Sequence, residues 1–241
     1  SLIRFDAKAE KERKIKFLEE NLYSEKKGWQ HTWKNEEAKY PAFLDDLAYL
    51  MQAYIQLQET TGKSDYLLKA KTLAGFVLQN FSDDETPFLF FTHQDQNDVI
   101  IRKKEVYDGA VPSGNAVMAH NLLYLSVVFD IPAWKEKAYN MTDSLGNAIV
   151  RYPTSFGVWA SLMQILIKGI NEIAVVGADA ETVRKEILKK YLPGKILQSS
   201  LKEDKVFPLL QGKNTKDKPV LLYLCKDYSC RQPVATVHEL L

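Results

Sequence analysis

Residues 48–57 (A-Y-L-M-Q-A-Y-I-Q-L) align on residues 116–125 (A-V-M-A-H-N-L-L-Y-L), and the same offset of 68 superposes Tyr66-L-L-K-Ala70 on Trp134-K-E-K-Ala138. A repeat of that length with two helical apolar patterns in each copy points to stacked helix pairs. Two tetratricopeptide units have a similar period, but their short turns leave no room for further structure between pairs, and their W-x2-L-G-x2-Y signature is absent here. A toroid is therefore favoured over an open solenoid.

The two members of each pair differ in character. In 65–81 the apolar positions Tyr66, Ala70, Leu73, Val77 and Phe81 fall on one helical face, and Trp134, Ala138, Met141, Leu145 and Ala148 repeat that pattern behind Pro132. One-sided helices belong to an outer layer. Residues 113–129 are apolar nearly all round, which places them inside, and 43–58 is similar except for a polar stripe of Asp45, Tyr49, Gln52 and Gln56 suited to a cavity wall. Extended segments precede both inner helices: 29–40 around Lys34-Asn35-Glu36, and 88–102, where F-L-F-F-T and V-I-I-R flank a polar turn. Each reads as a hairpin.

A third inner helix is expected over 154–168, after which the pattern changes. Glu172–Gly177, 195–199 and 220–225 read as strands, with a capped amphipathic helix from Asp179 to Tyr191. The expectation is a mainly α chain: a partial (α/α) toroid of helix pairs with β-hairpin insertions over 1–170, and a small α/β tail over 171–241. Three to four helix pairs make only part of a six-pair ring, so a dimer or the missing half of the toroid is expected to cover the apolar inner faces.

Charge and hydropathy exclude several function classes. With 32 basic and 31 acidic side chains the net charge is +1, which gives no footprint for nucleic acid or an anionic membrane. No apolar run approaches the ~20 residues of a membrane span, and no secretory signal is evident behind Ser1; a cytoplasmic location is expected. Cys225 and Cys230 are too few for a disulfide framework, and their C-x4-C spacing is neither a redox nor a zinc motif. They read first as structural thiols, then as a labile disulfide, and only distantly as metal ligands. No metal or cofactor is expected.

The stretch Arg102-K-K-E-V-Tyr107-Asp108-G-A-V-Pro112-Ser113-Gly114-Asn115 brings polar groups to the start of a buried helix, where the dipole favours negative charge. Two readings stand side by side. Ser113 caps the helix, Gly114 allows close packing and Asp108-Gly109 turns the chain, or these residues line a ligand pocket with Arg102, Tyr107, Ser113 and Asn115. His120 reads as a hydrogen-bonded core residue or a base. Trp33, with Trp29, Tyr40, Phe90 and Tyr107, belongs to the core or stacks on a sugar face, and His31 or His93 near a pocket can meet a hydroxyl.

The run Y-D-G-A-V-P-S-G-N-A (107–116), with P-A-F-L-D-D-L-A (41–48), E-I-A-V-V-G (172–177) and Y-L-C-K-D-Y-S-C-R-Q-P-V (223–234), resembles the C-terminal region of the YyaL family, which includes spermatogenesis-associated thioredoxin-like proteins. The resemblance extends from about residue 8 to the end and departs at Leu47, where the family is expected to carry tyrosine. It implies a toroid similar to six-hairpin glycosidases and N-acylglucosamine 2-epimerases, preceded in family members by a thioredoxin-like domain. This chain matches the second half of the toroid; the thioredoxin-like domain and its cysteine motif lie outside it, so no thiol-redox activity carries over. A small polar or carbohydrate-like ligand is implied. A sugar epimerase or glycoside hydrolase needs two acid–base groups across the reacting centre, for which Asp45, Asp46, Glu105 and Asp108 are the candidates. Adjacent Asp45 and Asp46 diverge by about 100° on a helix, so at most one faces a cavity. A scaffold docking a thioredoxin-like domain is the reading from a different class.

Overall fold

The computed structural model describes residues 8–96, 100–215, 217–227 and 229–240. A charged helix, α1 (Lys8–Leu22), leads into a three-stranded antiparallel sheet of β1 (Tyr23–Ser24), β2 (Gly28–Lys34) and β3 (Glu37–Pro41). Sequence periodicity did not single out α1, because Ile15 is the one buried residue among its described side chains and ion pairs such as Glu10–Lys14 lie on its surface.

The β2–β3 hairpin is the first of the two expected. Its turn residues Asn35 (φ 51°) and Glu36 (φ 59°) are both left-handed, as a two-residue hairpin turn requires. Glutamate pays a steric cost there that glycine does not. Glu36→Gly is expected to raise stability by about 0.5–1 kcal/mol in a urea titration; a loss would show that the turn is held by something other than its backbone.

Two helix pairs follow the repeat. α2 (Leu44–Thr61) turns at Gly62 (φ 76°) into α3 (Asp65–Phe81), and α4 (Gly114–Phe129) turns at Asp130 (φ 53°) into α5 (Pro132–Asp143). α4 is buried all round, with Ala116, Met118, Ala119, Leu122, Leu125 and Val128 inaccessible to solvent. It packs against α2, α3, α5 and α7 (Gly157–Lys168), and α7 turns Trp159 and Leu162 into the core. The expected outer helix over 134–148 is broken: α5 stops at Asp143, and the chain resumes as the short α6 (Gly146–Arg151) after Ser144, whose hydroxyl and N–H both donate to the Asn140 carbonyl.

Among the described residues, no strand pair stands at the second expected hairpin. Among the described residues of 88–102 the ladder is reduced to an isolated Ser82–Leu89 bridge and a Phe91 N–H bond to the Lys103 carbonyl; residues 97–99 lie outside the described set. Leu89 is fully buried, and the Asn115 side chain takes the place of a partner strand by bonding both the N–H and the carbonyl of Leu89. Apolar content mimicked a strand there, while a helix side chain satisfies the backbone.

The C-terminal part is α/β. β4 (Asn171–Gly177), α8 (Ala180–Leu188), β5 (Lys195–Ser200), β6 (Val220–Lys226), β7 (Ser229–Cys230) and α9 (Val237–Leu240) build a sheet in the order β5-β4-β6-β7, with β4 parallel to β5 and antiparallel to β6. Alternation sends Ala174, Val176, Ile196, Leu221, Tyr223 and Cys225 into the core of the helices, and Ile173, Val175, Leu197 and Leu222 into a second core with Ile187 of α8 and Val237 and Leu240 of α9. A half-buried ion pair between Lys195 and Glu59, at 2.7 Å, ties β5 to the end of α2.

Cys225 and Cys230 are joined as a disulfide across β6 and β7, which corrects the first reading of them as free structural thiols. The short hairpin makes them direct cross-strand neighbours, a pairing that C-x4-C spacing alone leaves open.

Candidate functional site

Helices α2, α4 and α7 begin close together, and carboxylates link those beginnings. Asp45, in the first turn of α2, accepts from the Gly114 N–H at 3.0 Å, the first residue of α4. Asp108, just before α4, accepts from the Ser113 N–H at 3.1 Å through Oδ1 and from the Val158 N–H at 2.9 Å, in the first turn of α7, through Oδ2. Each acid thereby satisfies a helix-terminal donor and complements a dipole. Tyr49 adds a third link by donating its hydroxyl to the Pro112 carbonyl at 2.9 Å.

The rest of the Tyr107–Ala116 motif is equally committed. The Ser113 hydroxyl caps α4 by accepting from the Ala116 N–H at 3.3 Å. A β-carbon on Gly114 would lie 2.2 Å from Asp45 Oδ1, so the absence of a side chain is what lets α2 and α4 meet. Asn115, fully buried, bonds both Leu89 and the Glu105 carbonyl, and the indole of Trp159 donates to the Val106 carbonyl. The segment 101–112 is thus an extended strap laced to α4 and α7 by side chains.

Asp45, Glu105, Asp108, Tyr107 and His120 gather at this end; the other predicted residues divide. Asp46 turns the opposite way from Asp45, accepting from the Phe43 N–H at 2.9 Å and from His31 Nδ1 at 2.7 Å. His120 is half-buried, and its Nε2–H donates to the Val158 carbonyl at 3.0 Å; burial pulls its pKa below the usual histidine value, so the ring is neutral at pH 7. Tyr107 is exposed and accepts from the Ser155 hydroxyl at 3.0 Å. Arg102 lies elsewhere, with its Cζ 4.0 Å from the centroid of the Phe90 ring and its guanidinium donating to the Thr92 carbonyl. Trp33 is also apart, edge-on to Phe17 of α1.

Among the described residues no ion pair involves Asp45, Glu105 or Asp108. Burial, followed by the charges of Asp46 and Glu105, raises the Asp45 pKa against the opposing Gly114 hydrogen bond. The folded chain therefore binds the Asp45 proton more tightly than the unfolded chain does, so this group makes stability fall as pH rises from 3.8 through the raised value. Asp45→Asn retains an acceptor for Gly114 without the charge, and should remove that fall from a plot of urea midpoint against pH. Parallel curves for the two proteins would contradict it.

A separate groove of about 910 Å³ lies between α1, the β1–β2 edge, α2 and α3. Trp29, Leu47, Tyr54, Leu73, Phe76 and His93 line it, whereas Asp45, Asp46, Glu105, Asp108 and the residues of the Arg102–Asn115 stretch do not. Trp29 and His93 were legible as possible sugar contacts and Leu73 as a position on an apolar helix face, whereas Phe76 was not singled out. Among the described residues no group of three or more His, Cys, Asp or Glu side chains is arranged to hold a metal ion. No helix among them is long and apolar enough to cross a membrane.

The chain is similar to the uncharacterized protein B0495.5 of Caenorhabditis elegans, with 27% identity over 206 residues covering 83% of this chain and 28% of that protein. It is similar to spermatogenesis-associated protein 20 of Rattus norvegicus and of Homo sapiens, each with 23% identity over 208 residues covering 82% of this chain and 26% of theirs. These distant relatives support the family resemblance carried by the motifs. No family model matches the chain. The chain spans about a quarter of the length of the curated relatives it matches.

Proposed function

We propose that this chain is an arc of an (α/α) toroid whose acid-rich end, where α2, α4 and α7 begin, binds a small polyhydroxylated, carbohydrate-like molecule. The observation that carries the reading is a set of neighbouring carboxylates, Asp45, Glu105 and Asp108, that have no cationic partner among the described residues, with acceptor oxygens to spare. Asp45 uses Oδ1 for Gly114, and among the described residues neither its Oδ2 nor the Glu105 carboxylate has a hydrogen bond. Sugar hydroxyls are donors suited to such acceptors, and the exposed Tyr107 ring offers a flat apolar face beside them.

Sugar epimerisation or glycoside hydrolysis is the enzymatic form of this reading. Both Asp108 oxygens are occupied and Asp46 is turned toward His31, so Asp45 and Glu105 are the pair left to meet a substrate. The raised pKa suits Asp45 to proton donation. A thermal-shift screen of the chain against mono- and oligosaccharides tests binding, since a ligand of the folded state alone raises the melting temperature. A shift is expected with at least one sugar; none across the panel would count against the site.

The groove supports a second reading, as an interaction scaffold. Its walls are largely apolar, Leu68 and Phe76 are 43% and 38% exposed there, and the relatives are several times longer than this chain. Such a surface suits further polypeptide, including the thioredoxin-like domain implied by the resemblance. Calorimetric binding of that domain, lost in Phe76→Asp, would favour this reading; sugar binding without domain binding would remove it.

A further inference from the structure

The sheet carries a second group of reactive side chains, far in sequence from the acid-rich end. Glu172, Cys225 and Cys230 are direct cross-strand partners on β4, β6 and β7, so their side chains stand in one row on the face turned toward the helices. A cavity of about 180 Å³ lies over the row, and Lys213, Lys135 and Asp227 join the three in lining it. Cys225 is buried, whereas Cys230 lies on the exposed edge strand. Lys213, itself buried, brings Nζ to 3.6 Å from Cys230 Sγ.

The bond is poorly placed to serve only as a staple. Stabilisation by a crosslink grows with the loop it closes, and this one joins residues five apart in a hairpin that the β6–β7 ladder already closes. Its surroundings are instead those of exchange chemistry: one cysteine on an exposed edge strand, a lysine beside its sulfur, a carboxyl across from its partner and a cavity for the incoming group.

We propose that Cys225–Cys230 is a thiol-exchange site, open to low-molecular-weight thiols at Cys230 Sγ and served by Lys213 and Glu172. An incoming thiolate attacks Cys230 Sγ, forming a mixed disulfide, and the electron pair of the broken S–S bond leaves on Cys225 Sγ. Glu172 gives its proton to that buried sulfur. A second thiolate attacks the sulfur of the bound thiol, releasing a small-molecule disulfide and leaving Cys230 as a thiolate beside Lys213. The sum is two thiols oxidised to one disulfide, and one protein disulfide reduced to two cysteines. Burial raises the Glu172 pKa, against a hydrogen bond from the Asp227 backbone and the fields of Lys135 and Lys213, which keeps a transferable proton there to higher pH.

Two readings on the full chain test this. In glutathione buffers quenched by acid and followed by mass spectrometry, the native protein should be reduced reversibly, and Glu172→Gln should slow reduction roughly tenfold or more. In the reduced chain, iodoacetamide should alkylate Cys230 with a midpoint below the ~8.5 of a free thiol. Lys213→Gln should raise that midpoint and Lys213→Arg restore it, an ordering that mere misfolding would not produce. Resistance to glutathione until denaturant is added, or equal rates and midpoints in all variants, would overturn the proposal.

Discussion

Asn115→Ala should lower stability by about 3–5 kcal/mol, because it leaves the buried Leu89 N–H and carbonyl and the Glu105 carbonyl without partners, each costing about 1–3 kcal/mol. The side chain does the work of a β-strand: it satisfies both backbone groups of Leu89, whose own side chain is fully buried, and holds the strap against α4. Water cannot replace it cheaply at a site with no solvent access. Asn115→Asp should be nearly as damaging, since a carboxylate accepts from Leu89 N–H but cannot donate to the two carbonyls. Urea denaturation measures both; a loss under about 1 kcal/mol for the alanine variant would show that the strap is held elsewhere.

Gly114→Ala is expected to cost about 2–3 kcal/mol by forcing α2 and α4 apart. The added carbon would meet Asp45 Oδ1 at 2.2 Å and the Asp45 backbone nitrogen and Leu44 Cγ at 3.1 Å, so rotating the carboxylate away relieves only the first contact. The Asp45→Ala/Gly114→Ala double variant should therefore recover part of the loss, and the two substitutions should be non-additive. Additive effects would mean that the helix starts are not coupled through this contact.

How much of this was legible beforehand depends on whether each feature is local in the chain. α2 through α5 follow from an apolar repeat that records which faces are buried, and the Asn35-Glu36 turn follows from residues that tolerate or are forced into left-handed geometry. The capping role of Ser113 is likewise local, and Gly114 signals a close approach without naming its partner, Asp45 of α2. The failed second hairpin is not, because the partner of Leu89 is a side chain 26 positions away. Nor is the link from Asp108 to Val158, 50 positions on, which makes a single acid the hinge of two helices. The divergence of Asp45 and Asp46 was anticipated from helix geometry, and the structure turns one toward Gly114 and the other toward His31. The cysteine pair was misread because spacing says nothing about register, whereas the β6–β7 ladder sets the two side by side.

The separation of roles at the acid-rich end can be measured directly. Asp108 and Asn115 hold the fold together, whereas Glu105 is exposed and bonded through its backbone carbonyl, so its carboxylate is free to serve a ligand. The most direct measurement is the melting temperature of Glu105→Gln with and without a saccharide that stabilises the parent chain. The proposed binding role predicts an unliganded melting temperature within about 1 °C of the parent, as for an exposed side chain, and loss of the saccharide-induced rise. A rise that survives the substitution, or an unliganded protein that melts several degrees lower, would contradict a binding role for this end.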